Sequence, residues 1–193
     1  MRQKSLRRLV GGSAVALLAA LSFTASAGAA DHRRVVMSDD CEPVSFNFFV
    51  PGNPPTCVGQ GETTFLDFIQ QLKDEAAAED WAFSRDHFNV DSGGTISVVN
   101  EGGEAHTFTQ VKAFGGGCVP PVNEALNFNR PGTFVPVEEC DGKSPPDVGP
   151  RFVASVVPPG ATRDFKVTGS GTQMFQCLIH PWMRSVVDVR GKD

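Results

Sequence analysis

Residues 177–183 read C-L-I-H-P-W-M and place a thiol, an imidazole and a thioether three positions apart, at Cys177, His180 and Met183. The stretch follows the strand-like T-Q-M-F-Q and precedes the strand-like R-S-V-V-D-V, which predicts a turn between two strands. Taken alone, the Cys-x2-His-x2-Met spacing fits either a metal site or an ordinary turn. The rest of the chain decides between these two interpretations.

Residues 1–30 are predicted to be a signal peptide. A basic start, M-R-Q-K-S-L-R-R, precedes an apolar stretch and the small residues T-A-S-A-G-A-A, with cleavage expected after Ala27, Ala29 or Ala30. Gly and Ser interrupt the apolar stretch, which disfavours an uncleaved anchor, and no later stretch is long enough to span a bilayer. The pair Arg7-Arg8 leaves both twin-arginine and general secretory export open. We therefore expect an exported protein, periplasmic or extracellular.

The mature chain is expected to be strongly acidic. Without the leader it keeps 13 Lys and Arg against 22 Asp and Glu, a formal net charge of −9. Such a charge disfavours nucleic acid and anionic membranes as partners. It favours small molecules, metal cations or a partner protein with a basic surface.

Five cysteines in an exported protein leave one thiol over. Cys41, Cys57, Cys118 and Cys140 lie in Pro- and Gly-rich segments, whereas Cys177 lies at the end of an apolar strand. We expect near neighbours to pair as Cys41–Cys57 and Cys118–Cys140, although the sequence leaves the other two connectivities open. Cys177 would then be unpaired in an oxidising compartment, and a bound metal ion would protect it from oxidation.

The hydrophobic pattern predicts an N-terminal extension over residues 31–80 and a β domain over 81–193. Residues 31–61 are expected to be irregular, with alternating pieces such as V-S-F-N-F-F-V. Residues 62–80 are predicted to form the one clear helix, because apolar residues recur on a single face. From residue 81 onward, short strands separated by turns predict an all-β sandwich or barrel. A long loop insertion, 112–151, holds Cys118 and Cys140.

The sequence lacks the signatures of common enzymes, including G-x-S-x-G, H-E-x-x-H, a Walker loop and a dinucleotide fingerprint. Among the histidines, His106 begins a strand after a Gly-rich loop, while His32 is expected to be disordered and His87 to be solvated. Adding His106 to the C-terminal motif gives one thiolate, two imidazoles and one thioether. This soft set is typical of a blue copper site, whereas zinc would normally take four Cys or His ligands.

With these four candidate ligands, the chain resembles the cupredoxins, the type 1 blue copper proteins that include plastocyanin, amicyanin and azurin. C-L-I-H-P-W-M is similar to the short ligand loop of amicyanin-like members. N-V-D-S-G-G-T-I-S-V-V-N-E-G-G-E-A-H-T-F is similar to the strand–turn–strand that carries the first His. The resemblance covers roughly residues 81–111 and 152–190. It implies a Greek-key β-sandwich, to which the N-terminal helix and the 112–151 insertion are additions.

The resemblance also implies the ligands of one copper ion. His106, Cys177 and His180 would be equatorial, and Met183 would be axial. Thr107 departs from the Asn that follows the first His in many members, and the insertion is longer than compact members need. What the insertion covers stays open.

By the same resemblance, the protein would carry single electrons and would not be an enzyme. A redox partner would dock near His180, the ligand expected nearest the surface, and near Trp182, which with Phe114 would form an apolar patch. Packing against the sandwich end is an equally good role for Trp182. Two other functions remain open: copper storage, delivery or sensing without electron transfer, and a degenerate cupredoxin used as an interaction module. Nitrite reduction would need a second copper centre, which His32 and His87 do not suggest.

Overall fold

The computed structural model describes residues 31–191. The predicted signal peptide and its cleavage sites therefore lie outside the described residues. Within them, no helix combines the length and the apolar character needed to cross a bilayer.

One four-stranded sheet forms the first layer of the fold. Its strand order is β2-β1-β4-β8, with β1 parallel to β4 and the other neighbours antiparallel. Alternate residues of β1 are buried, as expected for a strand with one face on a core. The strands are β1 (His32–Ser38), β2 (Ala82–Phe83), β4 (Thr95–Asn100) and β8 (Thr162–Lys166).

A second four-stranded sheet has the order β3-β10-β9-β6. Here β10 is parallel to β3 and antiparallel to β9, and β9 is antiparallel to β6. A short two-stranded ladder joins β5 to β7. These strands are β3 (His87–Asp91), β5 (His106–Thr107), β6 (Thr109–Val111), β7 (Val156–Val157), β9 (Gly171–Gln176) and β10 (Arg184–Arg190).

Both sheets contribute to one apolar core, which supports the predicted β-sandwich. Val35 and Val98 come from the first sheet, while Val90, Phe175 and Val187 come from the second. Phe108 stacks on Phe175 with ring centroids 4.5 Å apart. These contacts therefore hold β9 and the residues next to β5 in fixed positions within the core.

The N-terminal part of the chain differs from the prediction in two ways. The predicted boundary at residue 81 does not separate β1 from the sandwich, since β1 lies between β2 and β4 in the first sheet. His32, expected to be disordered, pairs with Thr95 at the start of β1. A parallel strand finds its partner through long-range pairing, which local periodicity does not report.

The prediction of a single helix is also wrong, because the described residues contain four α-helices. V-S-F-N-F-F-V, expected to be irregular, lies mostly in α1 (Pro43–Phe49), where the Glu42 carboxylate accepts hydrogen bonds from the Val44 and Ser45 amides. The second helix, α2 (Phe65–Glu75), is shorter than the predicted 62–80. It begins after Thr64, whose hydroxyl accepts from the Asp67 amide, and ends at Ala76 in the left-handed conformation.

The 112–151 insertion contains helices where a loop was expected. They are α3 (Pro120–Asn127), with Pro in its first turn, and a 3-10 turn at Glu138–Cys140. A further helix, α4 (Pro150–Ser155), starts at the end of the insertion and continues into R-F-V-A-S-V-V, where a strand was expected. Both predicted disulfides are confirmed: Cys41–Cys57 ties the N-terminal part, and Cys118–Cys140 ties the insertion. Cys177 is unpaired, as predicted, and it is buried.

Candidate metal centre

Three of the four predicted ligands come together at one end of the sandwich. Ligand atoms of His106, Cys177 and His180 all lie within 4.8 Å of one another, and all three residues are buried. His106 opens β5, Cys177 follows β9, and His180 lies in the turn before β10. The cluster is thus assembled from the short strand β5 and the C-terminal turn, and His106 and Cys177 are 71 positions apart in sequence.

Backbone hydrogen bonds close the C-terminal turn tightly. The Cys177 amide donates to the Met183 carbonyl at 3.0 Å, and the Met183 amide donates to the His180 carbonyl at 2.9 Å. Met183, the predicted axial ligand, is itself buried. The turn therefore holds Cys177, His180 and Met183 within one small loop that the two flanking strands anchor.

The distances between ligand atoms suit a single metal ion. The Nδ1 atoms of His106 and His180 are 3.1 Å apart, and Cys177 Sγ is 4.0 Å from His180 Nδ1. Metal–nitrogen and metal–sulfur bonds of about 2.0 and 2.3 Å place two ligands of one ion roughly 3–4 Å apart. No rearrangement of the backbone is needed for these three atoms to share an ion.

A buried carboxylate contacts the outward nitrogen of each imidazole. Asp39 Oδ2 lies 2.8 Å from His106 Nε2, and Glu104 Oε2 lies 3.4 Å from His180 Nε2. Asp39 also accepts hydrogen bonds from the Gly103 and Glu104 amides. A carboxylate at Nε2 favours the proton on that nitrogen, so in the neutral form of each ring the lone pair is on Nδ1, facing the cluster.

This pairing explains why the cluster suits a cation. When both rings are neutral and each Nε2 proton faces its carboxylate, two Nδ1 lone pairs face each other at 3.1 Å. Lone pairs at that distance repel unless a positive charge, a proton or a metal ion, lies between them. A thiolate and two imidazole nitrogens form a soft donor set that suits copper better than a hard cation.

The ionisation of these groups follows from their burial and from one another. Burial opposes charge, but hydrogen bonds from His106 and His180 hold the pKa of the Cys177 thiol well below its usual range. Burial likewise opposes protonation of His180, yet the charge of Glu104 and the hydrogen bond of Cys177 raise its pKa to about 10. For Asp39, burial is outweighed by the hydrogen bond and charge of His106, which lower its pKa to about 2. These shifts favour the thiolate form of Cys177 next to a protonated His180.

Two backbone amides also support the Cys177 sulfur. The Thr107 amide lies 3.3 Å and the His180 amide 3.4 Å from Sγ. The Thr107 hydroxyl accepts a hydrogen bond from the Leu178 amide at 2.7 Å. Thr107, noted above as a departure from the cupredoxin pattern, therefore joins β5 to the C-terminal turn through both its backbone and its side chain.

Aromatic side chains from the N-terminal part and from the C-terminal turn itself cover His180. The rings of Phe68, Trp81 and Trp182 lie 6.1, 6.4 and 5.4 Å from the His180 ring, and only 2% of His180 is exposed. The Trp81 indole also donates to Glu104 at 2.7 Å. His180 is therefore almost fully buried, like the other three candidate ligands, because α2 and the segment after it close over the turn.

The same covering decides the environment of Trp182. Its indole N–H lies 3.1 Å from the Ala78 carbonyl and 3.2 Å from the Trp81 carbonyl, so it is engaged within the fold. Phe114 packs in a separate apolar cluster, with the Arg184 guanidinium 5.0 Å from its ring centre. Of the two roles considered for Trp182, packing is the one that these contacts support.

The insertion packs against the ligand-bearing turn from another side. The Cys118 amide donates to the Leu178 carbonyl at 2.6 Å. A Cβ atom at Gly117 would lie 2.4 Å from that carbonyl oxygen, so only glycine allows this approach. The G-G-G-C stretch of the insertion therefore braces the turn between Cys177 and His180.

The remaining histidines lie outside the cluster. His87 is exposed, as predicted, and pairs with Asp188 at 2.7 Å. The sequence reasoning did not single out Asp39 or Glu104. Glu104 could have been noticed as an acid two positions before His106, but Asp39 lies 67 positions from that histidine and carries no local signal.

No protein-family model and no curated protein matches this chain. The solved structures that are similar to it include a cupredoxin, an auracyanin and an amicyanin. The purple cupredoxin from Nitrosopumilus maritimus has 12% identity and a TM-score of 0.38, with 82% of this chain and 99% of that chain covered. Auracyanin from Roseiflexus castenholzii has 20% identity and a TM-score of 0.36, with 56% and 87% covered.

An amicyanin variant in its reduced Cu(I) form has 17% identity and a TM-score of 0.34, with 59% of this chain and 77% of that chain covered. Identities and TM-scores of this size carry no argument about function. The assignment of a β-sandwich therefore rests on the strand pairing described above, and the assignment of a metal centre on the geometry of the cluster.

Proposed function

We propose that this chain is a cupredoxin that binds one type 1 copper ion and carries single electrons between redox partners. His106, Cys177 and His180 would be the equatorial ligands. The observation that carries the proposal is the orientation of the two imidazoles. Each has a buried carboxylate at Nε2 and directs Nδ1 toward the same point, next to the Cys177 sulfur.

Met183 is proposed as the weak axial ligand. Its thioether is the soft group that trigonal His2Cys sites use in this position. The backbone hydrogen bonds to Cys177 and His180 keep Met183 in the same turn, and its side chain is buried.

Copper, when bound, supplies a one-electron Cu(I)/Cu(II) couple at this centre. The side chains around it would hold the ligands in nearly the same positions for both oxidation states. Asp39 and Glu104 fix the two rings, the Thr107 and His180 amides support the sulfur, and the aromatic cover excludes water. A centre that does not rearrange suits electron transfer.

The burial of the ligands weighs against the alternative of copper storage, delivery or sensing. Handing an ion to another protein needs ligands that an incoming donor atom can reach, whereas His106 and His180 are almost fully covered. The same covering weighs against an enzymatic role, because a substrate would find no open coordination position. Two disulfides and the predicted leader support a periplasmic or extracellular location.

Reconstitution with Cu(II) tests the proposal directly. We expect an intense visible thiolate-to-copper absorption and a type 1 EPR spectrum in the wild-type protein, and loss of both in Cys177→Ser. His87→Ala is the matched control, since the His87 side chain is exposed, pairs with Asp188 and lies outside the cluster. Absence of the absorption in the wild type, or its persistence in Cys177→Ser, would overturn the type 1 assignment.

A further inference from the structure

An apolar patch lies exposed on the first helix. It consists of Val44, Phe48, Phe49 and Val50, which are 79, 76, 47 and 41% exposed, and we call it the α1 patch. Adjacent large apolar side chains left in water on a small protein mark a contact surface more often than chance exposure does. None of these four side chains belongs to the buried core cluster.

A chain of aromatic rings connects the α1 patch to the candidate metal centre. Phe49 stacks on Phe65 with ring centroids 5.1 Å apart, and Phe65 meets Phe46 at 5.4 Å. Phe46 stacks on Trp81 at 5.9 Å, and the Trp81 ring lies 6.4 Å from that of His180. Packed rings therefore run without a gap from solvent to a proposed ligand.

The chain matters because the direct approach to the centre is closed. His180 is covered by Phe68 and Trp182 as well as by Trp81. A partner cannot place its redox group against the imidazole edge. Since electronic coupling falls steeply with distance and is stronger through packed atoms than across gaps, the aromatic chain offers a continuous path.

The charge around the α1 patch indicates what kind of partner fits it. Residues 39–80 contain nine Asp and Glu against a single basic residue, Lys73. Glu42 caps α1, and Glu62 and Asp67 flank the start of α2. The negative electrostatic potential of these acidic residues attracts a partner surface that carries Lys or Arg around an apolar centre. It repels both a second copy of this acidic chain and an anionic lipid surface.

We propose that the α1 patch is the docking surface for a one-electron redox protein whose contact face is apolar and rimmed by Lys and Arg. The proposal rests on the copper-carrier function proposed above. One electron passes from the reduced partner to Cu(II), leaving an oxidised partner and Cu(I), with no bond made or broken and no proton moved. The reverse step reduces an oxidised partner by the same electron.

Docking is tested on the metal-free protein, independently of copper. Tris(1,10-phenanthroline)chromium(III) is cationic, apolar and paramagnetic, and serves as the probe. We expect it to broaden amide NMR signals of residues 44–50 in the wild type, less so in Phe48→Ser, and as in the wild type in Phe128→Ser. Phe128 is a matched control because it is 64% exposed at the C-terminal end of α3, outside the patch.

Electron transfer is tested on the copper-loaded protein by stopped flow. Tris(1,10-phenanthroline)cobalt(III) should oxidise the Cu(I) form, and Phe48→Ser should slow this reaction severalfold, with Phe128→Ser unchanged. Hexacyanoferrate(III), an anion, should show no dependence on Phe48. If copper does not bind, the NMR experiment still decides whether the patch takes a cationic apolar partner.

Three results would overturn the docking proposal. One is probe broadening centred outside residues 44–50, and another is an oxidation rate by the cobalt complex that Phe48→Ser does not change. The third is self-association of the wild type in analytical ultracentrifugation that Phe48→Ser abolishes, which would assign the patch to a second copy of the chain.

Discussion

At the scale of single residues, two carboxylates set the character of the centre. Asp39 and Glu104 contact the outward nitrogens of His106 and His180, and both are buried. A hydrogen-bonded carboxylate makes an imidazole a more basic ligand and fixes its ring orientation. If the centre binds copper as proposed, the two acids would set how strongly it binds the ion and how much it favours Cu(II).

Asp39→Asn removes the charge beside His106 but keeps an oxygen that can accept its proton. We expect copper affinity to fall about 10–100-fold, the effect typical of such supporting groups. The reduction potential should rise, because the lost negative charge stabilised Cu(II) more than Cu(I). Competition titration gives the affinity, and voltammetry gives the potential.

Asp40→Asn is the matched control for this substitution. Asp40 is the next residue in the chain and accepts hydrogen bonds from Glu62 and Thr63. Its replacement should reduce stability while leaving affinity and potential unchanged. Equal potentials in Asp39→Asn and the wild type would show that Asp39 has only a structural role.

At the scale of elements, α2 acts as a cover over the C-terminal turn. Phe68, on its buried face, contacts Trp81 at 4.8 Å and Trp182 at 5.9 Å between ring centroids, and lies against His180. Leu72 continues this face into the core. The helix thus joins the N-terminal part of the chain to the proposed ligands.

Phe68→Ala should weaken this cover. We expect the free energy of unfolding to fall by about 3–5 kcal/mol, as for large-to-small changes in a core. The rate of Cu(I) loss to a bicinchoninate chelator should rise, because water and chelator gain access to His180. Leu66→Ala, at an exposed position on the same helix, should change neither quantity. Unaltered copper loss in Phe68→Ala would mean that α2 does not protect the centre.

At the scale of the whole molecule, the proposed ligands tie two distant parts of the chain. His106 belongs to a strand that pairs with β7, while Cys177, His180 and Met183 lie between β9 and β10. A ligand set of this kind exists only in the folded chain. Copper binding should therefore stabilise the native state by mass action.

Free copper at 100 times its dissociation constant should stabilise the native protein by about 2.7 kcal/mol. For a chain of this size, that corresponds to a rise in Tm of roughly 5–10 °C. Differential scanning calorimetry with and without copper measures the shift. His106→Ala should lose most of it and His87→Ala none. An equal shift in His106→Ala would mean that copper binds elsewhere.

The sequence by itself determined the elements whose signals are local. Alternating apolar residues marked most strands, the Cys-x2-His-x2-Met spacing marked the turn, and the odd cysteine count singled out Cys177. These features are written in neighbouring residues, so hydrophobic period and spacing report them. The pairing of cysteines close in sequence was predictable for the same reason.

Only the tertiary structure decided what surrounds the C-terminal turn. The place of β1 in the sheet, the carboxylate of Asp39 beside His106 and the cover that α2 lays over His180 all join residues tens of positions apart. Such contacts form when the core closes, because burying apolar faces outweighs the entropy lost in ordering the segments between them. No local pattern encodes them. The sequence therefore named the candidate ligands, while the fold set their burial, their proton positions and their distance from solvent.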